Sequence, residues 1–301
     1  MRLPPALLAA ALASCHAPAG PGTGAPADPA WIEVTRGVHG HVLVPVVVGG
    51  VQTRFLVDSG ASADLVTPAL ARILRLAASG SAESVGAGGS AGAVSVTTLP
   101  ELRVGDDRFA PHPVAVQEFD PDEPTVGGAL GRPFFASHDV QVDLRHGRLR
   151  LLEAGSSRAR PELAPPGYVR VPFESVGGLD AVGVRLDGAE AVPGIVDLGA
   201  THSIASLEAA ARAGVVIPGG GPTGAVAVGA DGRNVPVTTH VFRSLAIGAL
   251  MVPAPTLAVG DLPVFAQLGL RGPAVVVGLD VLASHDVVFA EADGDILLSA
   301  H

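Results

Sequence analysis

Two short acidic loops recur in this chain: Phe55-Leu56-Val57-Asp58-Ser59-Gly60-Ala61-Ser62 and Gly194-Ile195-Val196-Asp197-Leu198-Gly199-Ala200-Thr201. In each, three apolar residues deliver an aspartate onto a glycine turn, a costly place for a carboxylate unless its charge is used or satisfied. Two such loops suggest one shared catalytic pair. The chemistry open to two carboxyls is general acid–base catalysis, one group accepting a proton while the other donates one. The competing reading is a pair of plain Asp-Gly turns with no chemistry.

The elements that must position these loops also come twice. Val-Leu-Val-Pro-Val-Val-Val, a Gly49-Gly50 turn and Thr53-Arg54-Phe55-Leu56-Val57 predict a hairpin with Asp58 at the tip of its second strand. Val182 to Leu186, an Asp187-Gly188 turn and Val192 to Val196 predict its counterpart, with Asp197 at the tip. Nine residues after each aspartate stands a helix N-cap residue, Thr67 and Ser206, ahead of the helical stretches at Pro68 to Leu74 and Leu207 to Arg212. Further on, Gly131-Arg132-Pro133-Phe134-Phe135-Ala136-Ser137-His138-Asp139-Val140 is answered by Gly278-Leu279-Asp280-Val281-Leu282-Ala283-Ser284-His285-Asp286-Val287, with Ala-Ser-His-Asp-Val identical in both. The aspartates are offset by 139 residues (197 − 58) and these closing segments by 147 (278 − 131), so the second copy carries a loop-sized insertion. One duplication with loop drift accounts for both offsets, and a repeat of about 130 residues is too long for a solenoid unit.

Over about 250 residues the chain resembles the retropepsin-like and pepsin-like aspartic proteases. Each lobe of that family contributes Asp-Ser/Thr-Gly, and Ala129-Leu130-Gly131 and Val276-Val277-Gly278 are similar to its second signature, an apolar-apolar-Gly segment that threads past the acidic loop. The resemblance implies an all-β fold with short helices, built as two pseudo-twofold-related retropepsin-like barrel lobes in the pepsin-like bilobal arrangement. It implies an aspartic endopeptidase in which Asp58 and Asp197 share one proton around a water, because two carboxylates about 3 Å apart cannot both ionise. Gly60 and Gly199 would permit the close approach, Ser59 would reach the opposite loop, and Ser62 and Thr201 would contact substrate backbone or local amides. No cofactor and no metal is implied, and the dyad would form within one chain, as a monomer. Two departures stand out. Leu198 replaces a Ser or Thr whose hydroxyl would reciprocate the bond of Ser59, at a cost on the order of 1 kcal/mol. Ala61 and Ala200 replace residues that often carry a hydroxyl bonded to the ionised carboxylate, which predicts a raised dyad pKa. The alternative function is a catalytically weak or inactive peptide-binding lipoprotein that keeps the fold, and a structural β-sandwich would require the two loops to lie apart.

Val85 to Gly92 is glycine-rich and stands where this family has its flap; Gly86, Gly88 and Gly89 would let that hairpin move over substrate. Val226 to Arg233 occupies the equivalent place in the second half, so which hairpin is the working flap is open. The pepsin-type flap tyrosine is missing, since the one tyrosine is Tyr168. Gly88-Gly89-Ser90-Ala91-Gly92 spells a serine-hydrolase elbow but is followed by the strand-like Ala93-Val94-Ser95-Val96-Thr97 rather than a helix. His39 and His41 have no carboxylate support for a metal, and His138 and His285 read as structural turn residues.

Of the 301 residues 48% are hydrophobic and only 4% aromatic, so Val, Ala and Gly must build the core, a composition suited to strands. A net charge of -10 without any Lys/Arg run excludes the clustered cations that nucleic acid requires. Residues 1–14 read as an export signal whose apolar stretch is too short to span a bilayer. The one cysteine, Cys15, closes Leu12-Ala13-Ser14-Cys15, which resembles a bacterial lipobox and marks Cys15 as the lipidation site. Residues 15–30, rich in Pro, Gly and Ala, read as a flexible tether, 31–153 as the N-terminal lobe, 154–167 as a linker and 168–301 as the C-terminal lobe. The expected setting is an exported lipoprotein on the periplasmic or cell-surface side, held to the membrane by its lipid alone, with a peptide or protein as substrate.

Overall fold

Strands Val42–Val48 and Val51–Val57 pair antiparallel and turn on Gly49 and Gly50, whose φ values of +54° and +83° suit residues without a Cβ. Strands Leu179–Leu186 and Val192–Val196 repeat the arrangement around Asp187 and Gly188. In this computed structural model the described residues are 28–86, 88–118, 125–217, 224–229 and 233–300. The export segment, Cys15 and most of the tether lie outside them, as do Ala87 and residues 230–232 of the two flap turns. Among the described residues no helix is long and apolar enough to cross a membrane.

Each half folds as a curled ten-stranded sheet, and the two sheets have matching strand order. In the first, strand Val51–Val57 lies between Val42–Val48 and the parallel strand Val126–Leu130; in the second, Val192–Val196 lies between Leu179–Leu186 and the parallel strand Val275–Val277. The five α-helices among the described residues are short. Two begin as their caps dictate: Thr67 Oγ accepts from the Leu70 amide at 3.3 Å before helix Pro68–Ile73, and Ser206 Oγ accepts from the Ala209 amide at 3.1 Å before helix Leu207–Arg212.

A third sheet, which the sequence did not reveal, draws strands from both halves. Its order is Ile32–Glu33, Arg148–Leu152, Asp139–Asp143, Asp286–Ala290, Asp295–Ser299 and Tyr168–Pro172. At its centre the duplicated strands meet antiparallel, with Val140 opposite Phe289 and Val142 opposite Val287. These side chains are buried in one apolar core that runs from the first half through this sheet into the second. Phe135 packs against Phe289 with ring centroids 4.8 Å apart and the planes tilted by 59°. Full burial of side chains of this size contributes roughly 1.5–3 kcal/mol each, so the halves are held together by core rather than by a hinge. Between them, residues 154–167 form two 3₁₀ turns, Ser157–Ala159 and Pro161–Leu163, with the Ser157 amide bonded to Asp139 Oδ2 at 2.8 Å and Leu163 buried.

Candidate active site

The two acidic loops meet because each is hung from a parallel neighbour in the same way. The Asp58 amide donates to Leu130 O and the Asp197 amide to Val277 O, both at 2.9 Å, which fixes each aspartate as a continuation of its strand. The following glycines let the loops touch. A Cβ on Gly60 would stand 2.4 Å from Asp197 Cγ, and one on Gly199 would stand 2.3 Å from Asp58 Oδ1, so no larger residue fits either place. Each carboxyl therefore lies against the backbone of the opposite loop, close enough to the other for the two to titrate as one pair.

The electrostatics of this pair follow from burial and from unequal support. Burial, then the neighbouring charge of Asp197, pushes the Asp58 carboxyl well above the usual carboxylate range. Asp197 is raised as well, again by burial, but backbone amides of Gly199, Ala200 and Gly60 oppose the shift. Gly199 donates to Asp197 Oδ1 at 2.8 Å and Ala200 at 3.2 Å; on the other side Gly60 donates to Asp58 Oδ1 at 3.0 Å, and the Ala61 amide also opposes the rise of Asp58. Two buried carboxyls this close cannot both ionise, so the pair shares one proton.

A family model described as Aspartyl protease matches residues 44–134 and again 182–281, one copy around each acidic loop and more than half of the chain in all. The chain belongs to the aspartyl protease family. Among solved structures it is similar to the aspartic proteinase from Irpex lacteus, with a TM-score of 0.54 over 90% of this chain and 97% of that one. At 15% identity that likeness is one of fold. A comparison with curated proteins gives no match.

In this member of the family one side-chain hydroxyl grips the opposite loop. Ser59 Oγ donates to Val196 O at 2.8 Å and accepts from the Leu198 amide at 2.9 Å, so a single oxygen bonds the opposite strand twice. Leu198 makes no reciprocal bond through its side chain, which is fully buried in the central core together with Val57 and Val196. Of the remaining sequence-derived residues, Ser62 is exposed, with a Cβ on Gly178 of the second half 4.0 Å away, and Thr201 is half-buried, its carbonyl accepting from the Asp280 amide at 3.2 Å. The first-half hairpin, for which the sequence suggested a flap, consists of strands Ala78–Gly86 and Gly89–Leu99 and reaches across to the other half. A Cβ on Gly89 would lie 3.5 Å from Pro263 and 3.9 Å from Gln267 Nε2, on helix Pro263–Gln267, and 3.7 Å from Arg233 beside the second hairpin. Gly86 and Gly88 belong to the same tip. The one tyrosine is far from this role: Tyr168 donates to Asp286 Oδ2 at 2.5 Å in the central sheet.

The threading segments read in the sequence are fastened from behind by residues that sequence reasoning missed, Asp64, Ser203 and Arg132. Gly131 and Gly278 thread beneath the acidic loops so closely that a Cβ would strike Ala63 O at 2.4 Å or Ala200 O at 2.7 Å. In the first half the Gly131 amide donates to Asp64 Oδ1 at 2.7 Å; in the second, the Gly278 amide donates to Ser203 Oγ at 2.9 Å, and that hydroxyl donates to Asp280 Oδ1 at 2.5 Å. Asp64 and Ser203 both stand six places after their aspartates, a signal available in the sequence but masked by their different chemistry. Arg132 then ties the halves together: Nη1 donates to Gly178 O at 2.8 Å and Asp180 Oδ1 at 3.3 Å, and Nη2 to Glu291 Oε2 at 3.2 Å.

Proposed function

We propose that this chain is an aspartic endopeptidase that hydrolyses peptide bonds with a water activated between Asp58 and Asp197. The observation that carries the reading is the contact of the two carboxyls, each pressed against the glycine of the opposite loop. With substrate in the cleft, Asp197 as carboxylate takes a proton from the water as it attacks the scissile carbonyl carbon. Asp58 gives its proton to the carbonyl oxygen. The resulting tetrahedral diol breaks its C–N bond as Asp197 passes the water's proton to the leaving amine and Asp58 takes a proton back from a diol hydroxyl, which restores the pair with no covalent acyl-enzyme. The flap that bridges to helix Pro263–Gln267 must lift to admit a peptide.

Because both carboxyls are raised, a singly protonated pair persists to higher pH than in a fully hydrogen-bonded dyad. Hydrolysis of a peptide library is expected to be best at about pH 4 to 7, to be blocked by pepstatin-type inhibitors and to vanish in Asp58→Asn. An optimum near pH 2, or cleavage unchanged in Asp58→Asn, would overturn the mechanism. Leu198 favours a second reading, a protein that binds peptides and hydrolyses them weakly, since one of two reciprocal grips is gone. That reading requires peptide binding with a turnover indifferent to Asp58→Asn.

We also propose that Cys15 carries a lipid that anchors the body outside the cytoplasm, supported by Leu12-Ala13-Ser14-Cys15 and the Pro/Gly/Ala stretch after it. Cys15→Ser is expected to free the protein from membranes; continued partitioning after a salt wash would refute the anchor.

A further inference from the structure

The two acidic loops are fastened by different chemistry, and in the first half that chemistry involves a second ionisable pair. The peptide unit between Leu130 and Gly131 is gripped on both edges: its carbonyl accepts the Asp58 amide at 2.9 Å, and its N–H donates to Asp64 Oδ1 at 2.7 Å. Asp64 is 1% exposed, and its other oxygen, Oδ2, lies 2.8 Å from Nε2 of His112, on strand His112–Val116. The other ring nitrogen of His112, Nδ1, lies 2.8 Å from Ala110 O. A carbonyl oxygen only accepts, so Nδ1 must carry a hydrogen. The proton between Nε2 and Oδ2 rests on the stronger base, the imidazole, which makes His112 a cation with both nitrogens donating. In the second half the equivalent peptide is held by the neutral Ser203 hydroxyl, backed by Asp280; the imidazole there, the exposed His202, lies 3.7 Å from Asp280 Oδ2 and does not touch the hydroxyl's bond to Gly278.

We propose that His112 and Asp64 are a proton-dependent positioning pair: the imidazolium holds Asp64 as a carboxylate, and Asp64 holds the Leu130–Gly131 peptide from which the Asp58 backbone hangs. Deprotonation of His112 removes one donor or leaves a buried carboxylate without its counter-charge, and the first acidic loop loosens while the second does not. The surroundings leave Asp64 as the charge that His112 answers to. Its antiparallel neighbour, strand Gly89–Leu99, and strand Leu65–Val66 beside it carry no charged side chain. Beyond the end of strand Gly89–Leu99, Glu101 is exposed and paired with Arg108 at 2.9 Å. Consistent with the geometry, the hydrogen bond to Asp64 raises the His112 pKa above its ordinary 6.5 despite burial.

The proposal rests on the peptidase reading only for its kinetic consequence, so the test has two independent arms. In the first, the His112 ring and the Gly131 amide are followed by NMR through a pH titration of the whole protein. In the native chain both are expected to titrate together above pH 6.5; in Asp64→Asn, which keeps an acceptor for Gly131 but no charge, the His112 midpoint is expected to fall to or below that ordinary value. A native midpoint at or below the ordinary value, or a Gly131 amide indifferent to it, would overturn the pair whether or not the protein cleaves peptides. In the second arm, the alkaline limb of kcat is expected to move to lower pH in Asp64→Asn with KM little changed. A limb that stays in place while kcat drops uniformly would reduce Asp64 to a merely structural role. If no peptide is cleaved, the first arm alone decides.

Discussion

At the scale of single residues, the site is a stored electrostatic cost. Asp58 binds its proton more tightly folded than unfolded, because burial and the neighbouring Asp197 raise it from 3.8. For such an acid, folding stability is greatest below the unfolded value and declines as pH rises through the folded one. Asp58→Asn cannot ionise and escapes that decline. In chemical denaturation it is expected to be more stable than the native chain at pH 7, with the difference gone at about pH 3. A native chain that is the more stable at pH 7 would contradict the raised carboxyl. The aspartates, glycines and Ser59 were legible in the sequence because they sit in a contiguous, repeated octapeptide. Asp64 and His112 were not, because their meaning comes from Gly131, which is 67 residues from Asp64 and arrives beside it only by folding.

At the scale of elements, the hairpins and the helix caps were readable for the same reason that they form: turn glycines, cap hydroxyls and apolar runs act over a few residues. The clamp between elements was not. Arg132, on the helix after the threading segment, meets Asp180 at the start of strand Leu179–Leu186 and Glu291 after strand Asp286–Ala290, the last contact spanning 159 residues. Burial, then the Asp180 charge, raises Glu291 to about 7, and the Arg132 guanidinium opposes the rise. Without it, two buried carboxyls must repel or take up a proton. Arg132→Ala is expected to destabilise the protein by roughly 2–4 kcal/mol in urea unfolding at pH 8. The loss should be smaller at pH 5, where protons already neutralise the pair. Equal losses at both pH values would assign the effect to packing of the side chain rather than to its charge.

At the scale of the whole molecule, the sequence conveyed a duplication but not how the copies join. The repeated Ala-Ser-His-Asp-Val leads into the two strands that pair at the centre of the shared sheet, yet nothing local says that Asp139–Asp143 chooses Asp286–Ala290 as its neighbour. That choice leaves neither half with a finished edge. A fragment ending at residue 153 would expose an edge of strand Asp139–Asp143, whose Val140 and Val142 are fully buried in the whole chain. Expressed alone, residues 28–153 are expected to self-associate or precipitate in analytical ultracentrifugation, and to be rescued by co-expression with the rest of the chain. A monodisperse, folded monomer would show that the sheet is not what completes the half.

The single hydroxyl of Ser59 has a consequence for how such a chain can change over time. When a site is assembled from two identical polypeptides, every substitution is made twice, and a residue needed on one side is imposed on the other. Fusing the copies into one reading frame lifts that rule. One serine already gives a bond to the opposite strand and takes one back, so its mirror position is released from recognition and joins the interior as Leu198. Each half can then drift toward its own task, one keeping the shared contact and the other gaining packing, a division of labour that identical partners cannot reach.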